Sequence, residues 1–160
     1  EMFKYLDNRF SLDFYLVGNQ TYTNQLKKLA KSFPKIRFLE PVPFNDIIPT
    51  MNQYDIGLYL LEPTGFNTEY ALPNKFFEYI QARLMLAIGP SYDMKKIVEQ
   101  YNLGIVSRNF DSKELAIELN KLSYEDILIY KENSNIASKE LCYENESKKL
   151  TAILDKLLKK

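Results

Sequence analysis

The chain has 160 residues, 46% of them hydrophobic, which suits one globular domain with a complete core. Its 21 basic and 21 acidic residues cancel, so no overall field favours nucleic acid or an anionic membrane as a partner. There is no histidine and only one cysteine, Cys142, which excludes an internal disulfide, histidine acid–base catalysis and the commonest zinc ligand.

The predicted elements alternate between strand and helix along the chain. Continuous apolar runs predict buried strands, and apolar residues that repeat every three or four positions predict helices. Strands are predicted at residues 12–17, 36–39, 55–61, 84–88 and 104–107, and helices at residues 2–9, 22–33, 47–53, 73–82, 94–101, 113–122, 124–138 and 143–159. This order predicts right-handed βαβ units, that is, an α/β fold with a Rossmann-like parallel sheet and helices on both faces.

The first element is unusual for such a fold, because the chain begins inside a helical pattern and not with a strand. We therefore expect the first strand to be missing. We also expect residues 1–160 to be a single domain of a longer two-domain protein, with the other domain N-terminal to residue 1. The lone cysteine and the lack of a signal-peptide pattern predict a cytoplasmic location, with attachment of the full-length protein to the inner membrane as an alternative.

Candidate binding residues lie where predicted strands end. Ligands of parallel α/β sheets bind outside the carboxyl ends of the strands. Four loops follow such ends, at residues 18–20, 42–44, 63–70 and 89–91. The helix predicted from residue 73 begins at the same rim, so we expect these segments to form one site.

The stretch PNKFFEY, from Pro73 to Tyr79, is the strongest functional signal. Proline suits the first helical position, and the free N–H groups of that turn, with the helix dipole, favour an anion. Asn74, Lys75 and Glu78 share a helix face. The pattern predicts a nucleoside diphosphate, with phosphates held by the N–H groups and Lys75 and ribose hydroxyls held by Glu78.

Structural alternatives remain open for the same residues. Lys75 and Glu78 are also spaced to form a surface ion pair, and Asn74 is also a suitable helix cap. Gly18 suits a turn at the end of a strand for conformational reasons alone. The apolar members Phe76, Phe77 and Ile80 are expected in the core.

The chain resembles the C-terminal, donor-binding half of GT-B-fold glycosyltransferases, near the large retaining family of glycogen synthases and bacterial polysaccharide mannosyltransferases (glycosyl transferases group 1). PNKFFEY is the most specific of the stretches that carry the resemblance. They are FYLVG (14–18), IRFLEPV (36–42), IIPTMNQYDIGLYL (47–60), LPNKFFEYI (72–80), residues 104–111 with Leu115, and LCYENESKKLTAIL (141–154).

The resemblance implies a donor that is a UDP-, GDP- or ADP-linked sugar, bound without a metal or another cofactor. Glu78 matches the family's ribose-binding glutamate, and Asn74 and Lys75 match residues beside the diphosphate. The other implied substrate-binding residues are Val42 and Pro43 near the base, Gly18 with Asn19 beside the donor, and Asn67 and Tyr70 near the sugar and its phosphates.

Two departures from the family pattern concern the donor site. Many members carry a second glutamate eight positions before the ribose-binding one, where this chain has Tyr70 with Glu69 beside it. The arginine and lysine of the family's first strand are absent, together with that strand. Any catalytic histidine would lie in the missing domain, so we expect no catalytic residue in these 160 residues.

The resulting hypothesis is a glycosyltransferase domain for polysaccharide biosynthesis. The intact enzyme would transfer a hexose to a saccharide acceptor bound through the missing domain, and this chain alone would be inactive. One alternative is a nucleotide-sugar epimerase of the same architecture. The other is a non-catalytic α/β module, either regulatory, such as a receiver-like domain, or dedicated to assembly.

Overall fold

The computed structural model describes residues 1–158 and confirms the α/β class, because parallel strands alternate with helices along the chain. The strands are β1 (Leu12–Tyr15), β2 (Ile36–Leu39), β3 (Ile56–Tyr59), β4 (Met85–Ile88) and β5 (Gly104–Val106). The helices are α1 (Gln20–Ala30), α2 (Ile47–Met51), α3 (Phe66–Glu69), α4 (Asn74–Gln81), α5 (Tyr92–Tyr101), α6 (Ser112–Lys121), α7 (Tyr124–Glu140) and α8 (Tyr143–Leu158), with 3₁₀ turns at Met2–Lys4 and Phe44–Asp46.

The strands form two parallel sheets and not the one continuous sheet that the strand pattern predicts. β1 pairs with β2, so that Leu12 lies opposite Ile36. β4 pairs with β3 on one side and with β5 on the other. Within residues 1–158 no backbone hydrogen bond joins β1 to β3. The arrangement is consistent with a Rossmann-like fold whose sheet is divided in two.

The core lies on both faces of β4, whose four side chains are all fully buried. Leu86 and Ile88 pack on one face, in a cluster with Phe76 and Ile80 of α4. Met85 and Ala87 pack on the other face, against side chains of α6 and α7. Burial of each large side chain contributes about 1.5–3 kcal/mol. The core positions predicted for α4 are confirmed, with Phe77 at the margin of the cluster.

Several predicted boundaries move for local reasons. The helix expected at residues 2–9 shortens to one 3₁₀ turn, and the loop expected at 62–72 contains the short α3. α1 begins two residues early because Asn19 caps it. Pro73 is the N-cap of α4 and not its first helical residue. The predicted last helix reaches residue 159, which lies outside the described residues. No helix within residues 1–158 combines the length and hydropathy that crossing a bilayer requires.

Candidate functional site

Two charged residues of α4 face the carboxyl ends of β1 and β2 across a cleft of about 140 Å³. We call it the α4 cleft. It is lined by Tyr15 at the end of β1 and Val17 after it, Pro41 and Val42 after β2, Ile47, Thr50 and Met51 of α2, and Lys75 and Glu78 of α4. The structure thus brings together three of the predicted binding residues, which are Val42, Lys75 and Glu78.

The position of α4 follows from its apolar spacing and its N-terminus. Phe76 and Ile80 are fully buried and anchor one face of the helix, so Lys75 and Glu78 lie toward the cleft. The amide of Phe76 donates to the carbonyl of Pro73 at 2.9 Å. The amides of Asn74 and Lys75 precede the first helical hydrogen bond and have no carbonyl partner among the described residues. They are therefore available to an anion.

Lys75 and Glu78 do not form the surface ion pair that their spacing permits. Neither side chain makes a hydrogen bond or salt bridge anywhere in residues 1–158, whereas four other acid–base pairs at the same spacing do. In those four pairs the acid precedes the base, which is the more favourable order on a helix. Glu78 is half-buried, and no buried side-chain oxygen within the described residues lacks a hydrogen-bond partner, so its carboxylate reaches solvent and is free to accept from a ligand.

Asn74 does not act as a local cap. It is the first helical residue of α4, and its side chain makes no hydrogen bond within the described residues. Its side chain is exposed at the rim, and it does not line the α4 cleft.

The neighbour of Glu78, Tyr79, ties α4 to β3. Its ring lies over Gly57, and its hydroxyl donates to the carbonyl of Leu58 at 3.2 Å. Burial raises the pKa of Tyr79 to about 12, with a further contribution from the negative charge of Glu78. The neutral phenol is thus the stable form, and it holds the helix against the strand.

A hydrogen-bonded network supports the cleft wall opposite α4. The hydroxyl of Tyr54 donates to Asp13 at 2.7 Å, so Tyr15 is the donor in its own 2.7 Å contact with Tyr54. The guanidinium of Arg37 binds both oxygens of Asp13, at 2.7 and 2.6 Å, and holds the pKa of that carboxyl below its usual value. Burial, together with the hydrogen bonds to Tyr15 and Asp13, raises the pKa of Tyr54.

Sequence reasoning missed this network. The available signal was Asp13, the only charged residue in the apolar run at residues 12–17. Its partners Arg37 and Tyr54 lie 24 and 41 residues further along the chain, so no local pattern connects them.

Gly18 and Asn19 lie apart from the α4 cleft. Gly18 lines a neighbouring groove with Pro41 and Lys27, of about 290 Å³. Its φ of +140° explains the glycine, and no atom lies within 4 Å of the point that a Cβ would occupy. The Asn19 side-chain oxygen accepts from the amide of Thr21 at 2.8 Å, so it is engaged in capping α1.

The remaining predicted residues do not line the α4 cleft either. Pro43 is the N-cap of the 3₁₀ turn that leads into α2. Asn67 lines a shallow pocket formed by residues 64–68 alone. Tyr70 packs between the rings of Phe66 and Tyr92, with centroids 4.7 and 5.1 Å away. The sequence analysis predicted one site for residues that the structure places on several different surfaces.

Comparison with known proteins yields neither a matching family model nor a matching curated protein. Among residues 1–158, no group of three or more histidine, cysteine, aspartate or glutamate side chains is placed to hold a metal ion. The polar groups of the α4 cleft are one ammonium, one carboxylate, the hydroxyls of its lining residues Tyr15 and Thr50, and the free amides at the helix start.

Proposed function

We propose that this chain is the donor-nucleotide-binding domain of a glycosyltransferase, which transfers a hexose from a nucleoside diphosphate sugar to a saccharide acceptor in polysaccharide biosynthesis. The observation that carries the proposal is the pair Lys75 and Glu78. Both lack a protein partner in residues 1–158, and both line one cleft with Val42.

The two charges suit the two polar parts of a nucleotide. Ribose hydroxyls would donate to the carboxylate of Glu78, which lines the cleft and accepts from no side chain or backbone amide in residues 1–158. The diphosphate would accept from the ammonium of Lys75 and from the free amides at the start of α4. Lys75 precedes Glu78 by three residues, about 4.5 Å along the helix axis, which separates the two binding functions by one turn.

The cleft is small for a complete nucleotide sugar. Its 140 Å³ compares with about 300–1,000 Å³ for typical small-molecule sites. We therefore assign the nucleoside to the cleft, with the base against the backbone at Pro41 and Val42. The diphosphate lies at the rim. There the positive charge of Lys75 and the helix amides stabilise the nucleoside diphosphate as the leaving group when the hexose is transferred.

The test is calorimetric titration of the chain with UDP, GDP and ADP. One of them is expected to bind, and Glu78→Gln is expected to raise the Kd of that nucleotide by tenfold or more. Hydrogen bonds to a charged group contribute about 1.5–3 kcal/mol, and 1.4 kcal/mol corresponds to a tenfold change in Kd. The matched control is Glu118→Gln, which neutralises a half-buried glutamate that pairs with Lys121 on α6, away from the cleft.

A modified ligand separates the ribose role from a general effect of charge. With the 2′,3′-dideoxy form of the nucleotide, Glu78→Gln is expected to have no effect, because the hydroxyls that it binds are gone. Lys75→Gln is expected to weaken the binding of the nucleoside diphosphate and to leave the affinity for the unphosphorylated nucleoside unchanged. Equal losses with the normal and dideoxy nucleotides would refute the ribose assignment, and failure of all three nucleotides to bind would favour a non-catalytic module.

A further inference from the structure

The hydroxyl of Tyr15, in the lining of the α4 cleft, ends a chain of hydrogen bonds whose direction is fixed by Asp13. Arg37 donates to both carboxylate oxygens of Asp13, at 2.7 and 2.6 Å. The Asp13 side chain is 3% exposed, and this ion pair holds its pKa below the usual value, so the carboxylate stays ionised and can only accept. The hydroxyl of Tyr54 therefore gives its single proton to Asp13, at 2.7 Å.

That direction leaves the Tyr15 hydroxyl with one kind of hydrogen bond to offer a ligand. A phenol carries one proton, and the proton of Tyr54 is already engaged, so Tyr15 is the donor in the 2.7 Å contact between the two hydroxyls. The Tyr15 hydroxyl makes no other hydrogen bond within the described residues. Its oxygen keeps its lone pairs, so it is available to a ligand as an acceptor and not as a donor.

Tyr15 and Glu78 line the α4 cleft from opposite walls, Tyr15 at the end of β1 and Glu78 on α4. Tyr15 is half-buried, whereas Val17, two residues further along the chain, is 87% exposed. Tyr15 lies opposite Leu39 in the parallel register, and Leu39 comes two residues before Pro41. The acceptor oxygen therefore belongs to the strand wall, deeper than Val17 and beside the backbone to which we assign the base.

We propose that Tyr15 determines which nucleobase the α4 cleft accepts, and that it selects a base with a ring N–H, as in uracil and guanine. This inference rests on the proposed function. With the ribose held by Glu78, the edge of the base that is remote from the sugar is directed to the opposite wall. The hydroxyl of the lining residue Thr50 makes no hydrogen bond within residues 1–158, so it is free to donate or to accept and does not discriminate.

The chemistry of the four common bases turns this acceptor into a selector. Uracil carries a proton on its ring nitrogen N3 and guanine carries one on N1, whereas cytosine and adenine have a lone pair at the same ring positions. An acceptor-only oxygen attracts the first two and repels the second two. Sites that are built to bond a ligand N–H reject analogues without it, because the buried polar group is then left unpaired. The donor sugar is accordingly linked to UDP or GDP, and not to ADP or CDP.

The test measures Kd by calorimetry for two matched pairs of ligands, UDP with CDP, and GDP with the diphosphate of 2,6-diaminopurine riboside. Within a pair, the ring N–H is lost and the adjoining carbonyl becomes an amino group, so the contacts of ribose and diphosphate cancel in the ratio of the two Kd values. In the wild type, the Kd of the N–H ligand is expected to be lower by about tenfold or more in one pair. Tyr15→Phe is expected to reduce that ratio to less than about threefold. This variant leaves the bond from Tyr54 to Asp13 in place, so it strands no buried donor.

Two further variants separate this role from a structural one. Tyr54→Phe removes the group to which Tyr15 donates, so the Tyr15 hydroxyl becomes free to donate to a ligand as well as to accept. The ratio is expected to fall as it does in Tyr15→Phe, although the Tyr15 oxygen is still present. Glu78→Gln is expected to raise both Kd values of a pair equally and to leave the ratio unchanged.

The outcomes distinguish this inference from the proposed function. A nucleotide that binds with equal Kd in its N–H and amino forms would overturn the role of Tyr15 and leave the proposed function standing. A preference for ADP or CDP, or a ratio that Tyr15→Phe does not change, would have the same meaning. Failure of all these nucleotides to bind would refute the proposed function, and the inference about Tyr15 with it.

Discussion

Replacing Gly57 by alanine should destabilise the protein through a single steric contact with Tyr79. Gly57 is buried in β3, directly beneath the Tyr79 ring. A Cβ at position 57 would lie 2.5 Å from Cδ2 and 2.9 Å from Cβ of Tyr79, closer than real Cβ contacts are found. The ring has little freedom to retreat, because its hydroxyl is bonded to Leu58 and the adjoining residue Ile80 is fully buried.

The magnitude follows from two opposing terms. Overpacking a well-filled core costs about 1–3 kcal/mol. Alanine also restricts the unfolded chain relative to glycine, which returns about 0.4–1 kcal/mol where the backbone conformation suits it. Gly57 is not among the glycines with positive φ, so no backbone strain is added. We expect Gly57→Ala to lower the free energy of unfolding by about 1–2 kcal/mol.

Urea denaturation followed by circular dichroism measures this change. The matched control is Gly65→Ala, because Gly65 has φ 174° and no atom within 4 Å of the added methyl group. That variant should change stability by less than about 0.5 kcal/mol. In a Tyr79→Ala background, Gly57→Ala should cost about 1 kcal/mol less than in the wild type. An equal cost in both backgrounds would refute the steric reasoning.

Three further predictions concern titration and buried hydrogen bonds. Because the folded pKa of Tyr79 is about 12 and its unfolded value is 10.0, its contribution to stability is complete below pH 10 and is lost as the pH rises through 12. The free energy of unfolding of Tyr79→Phe, measured by urea denaturation, should therefore fall by about 2 kcal/mol less over this range than that of the wild type. Parallel pH curves for the two proteins would contradict this. Ser134→Ala removes the hydroxyl that donates to the Leu84 carbonyl at 2.6 Å in the core. Calorimetry or urea denaturation should show that the free energy of unfolding falls by about 1–2 kcal/mol. Arg37 lowers the pKa of Asp13 below 3.8, so this carboxylate stabilises the fold above that value and loses its effect as the pH falls through the lowered pKa. Asp13→Asn should flatten the acid unfolding curve in that range, and an unaltered slope would contradict the prediction.

Local patterns in the sequence determined which segments become strands and helices. β2 occupies the predicted residues 36–39, and β4 lies within a predicted continuous apolar run because both of its faces are buried. In α4, the spacing of Phe76 and Ile80 predicted the buried face and hence the exposed face that carries Lys75 and Glu78. These features depend on residues within a few positions of each other, so periodicity and capping chemistry are sufficient to predict them.

Tertiary structure alone decided which of these segments meet. It placed Val42 beside Lys75 and Glu78, left Asn67 and Tyr70 outside that cleft, and divided the sheet between β1 and β3. Such contacts join residues tens of positions apart, and they depend on the order and register of strands. Neither hydrophobic periodicity nor turn chemistry encodes that order, because the same local pattern is compatible with many arrangements of neighbours.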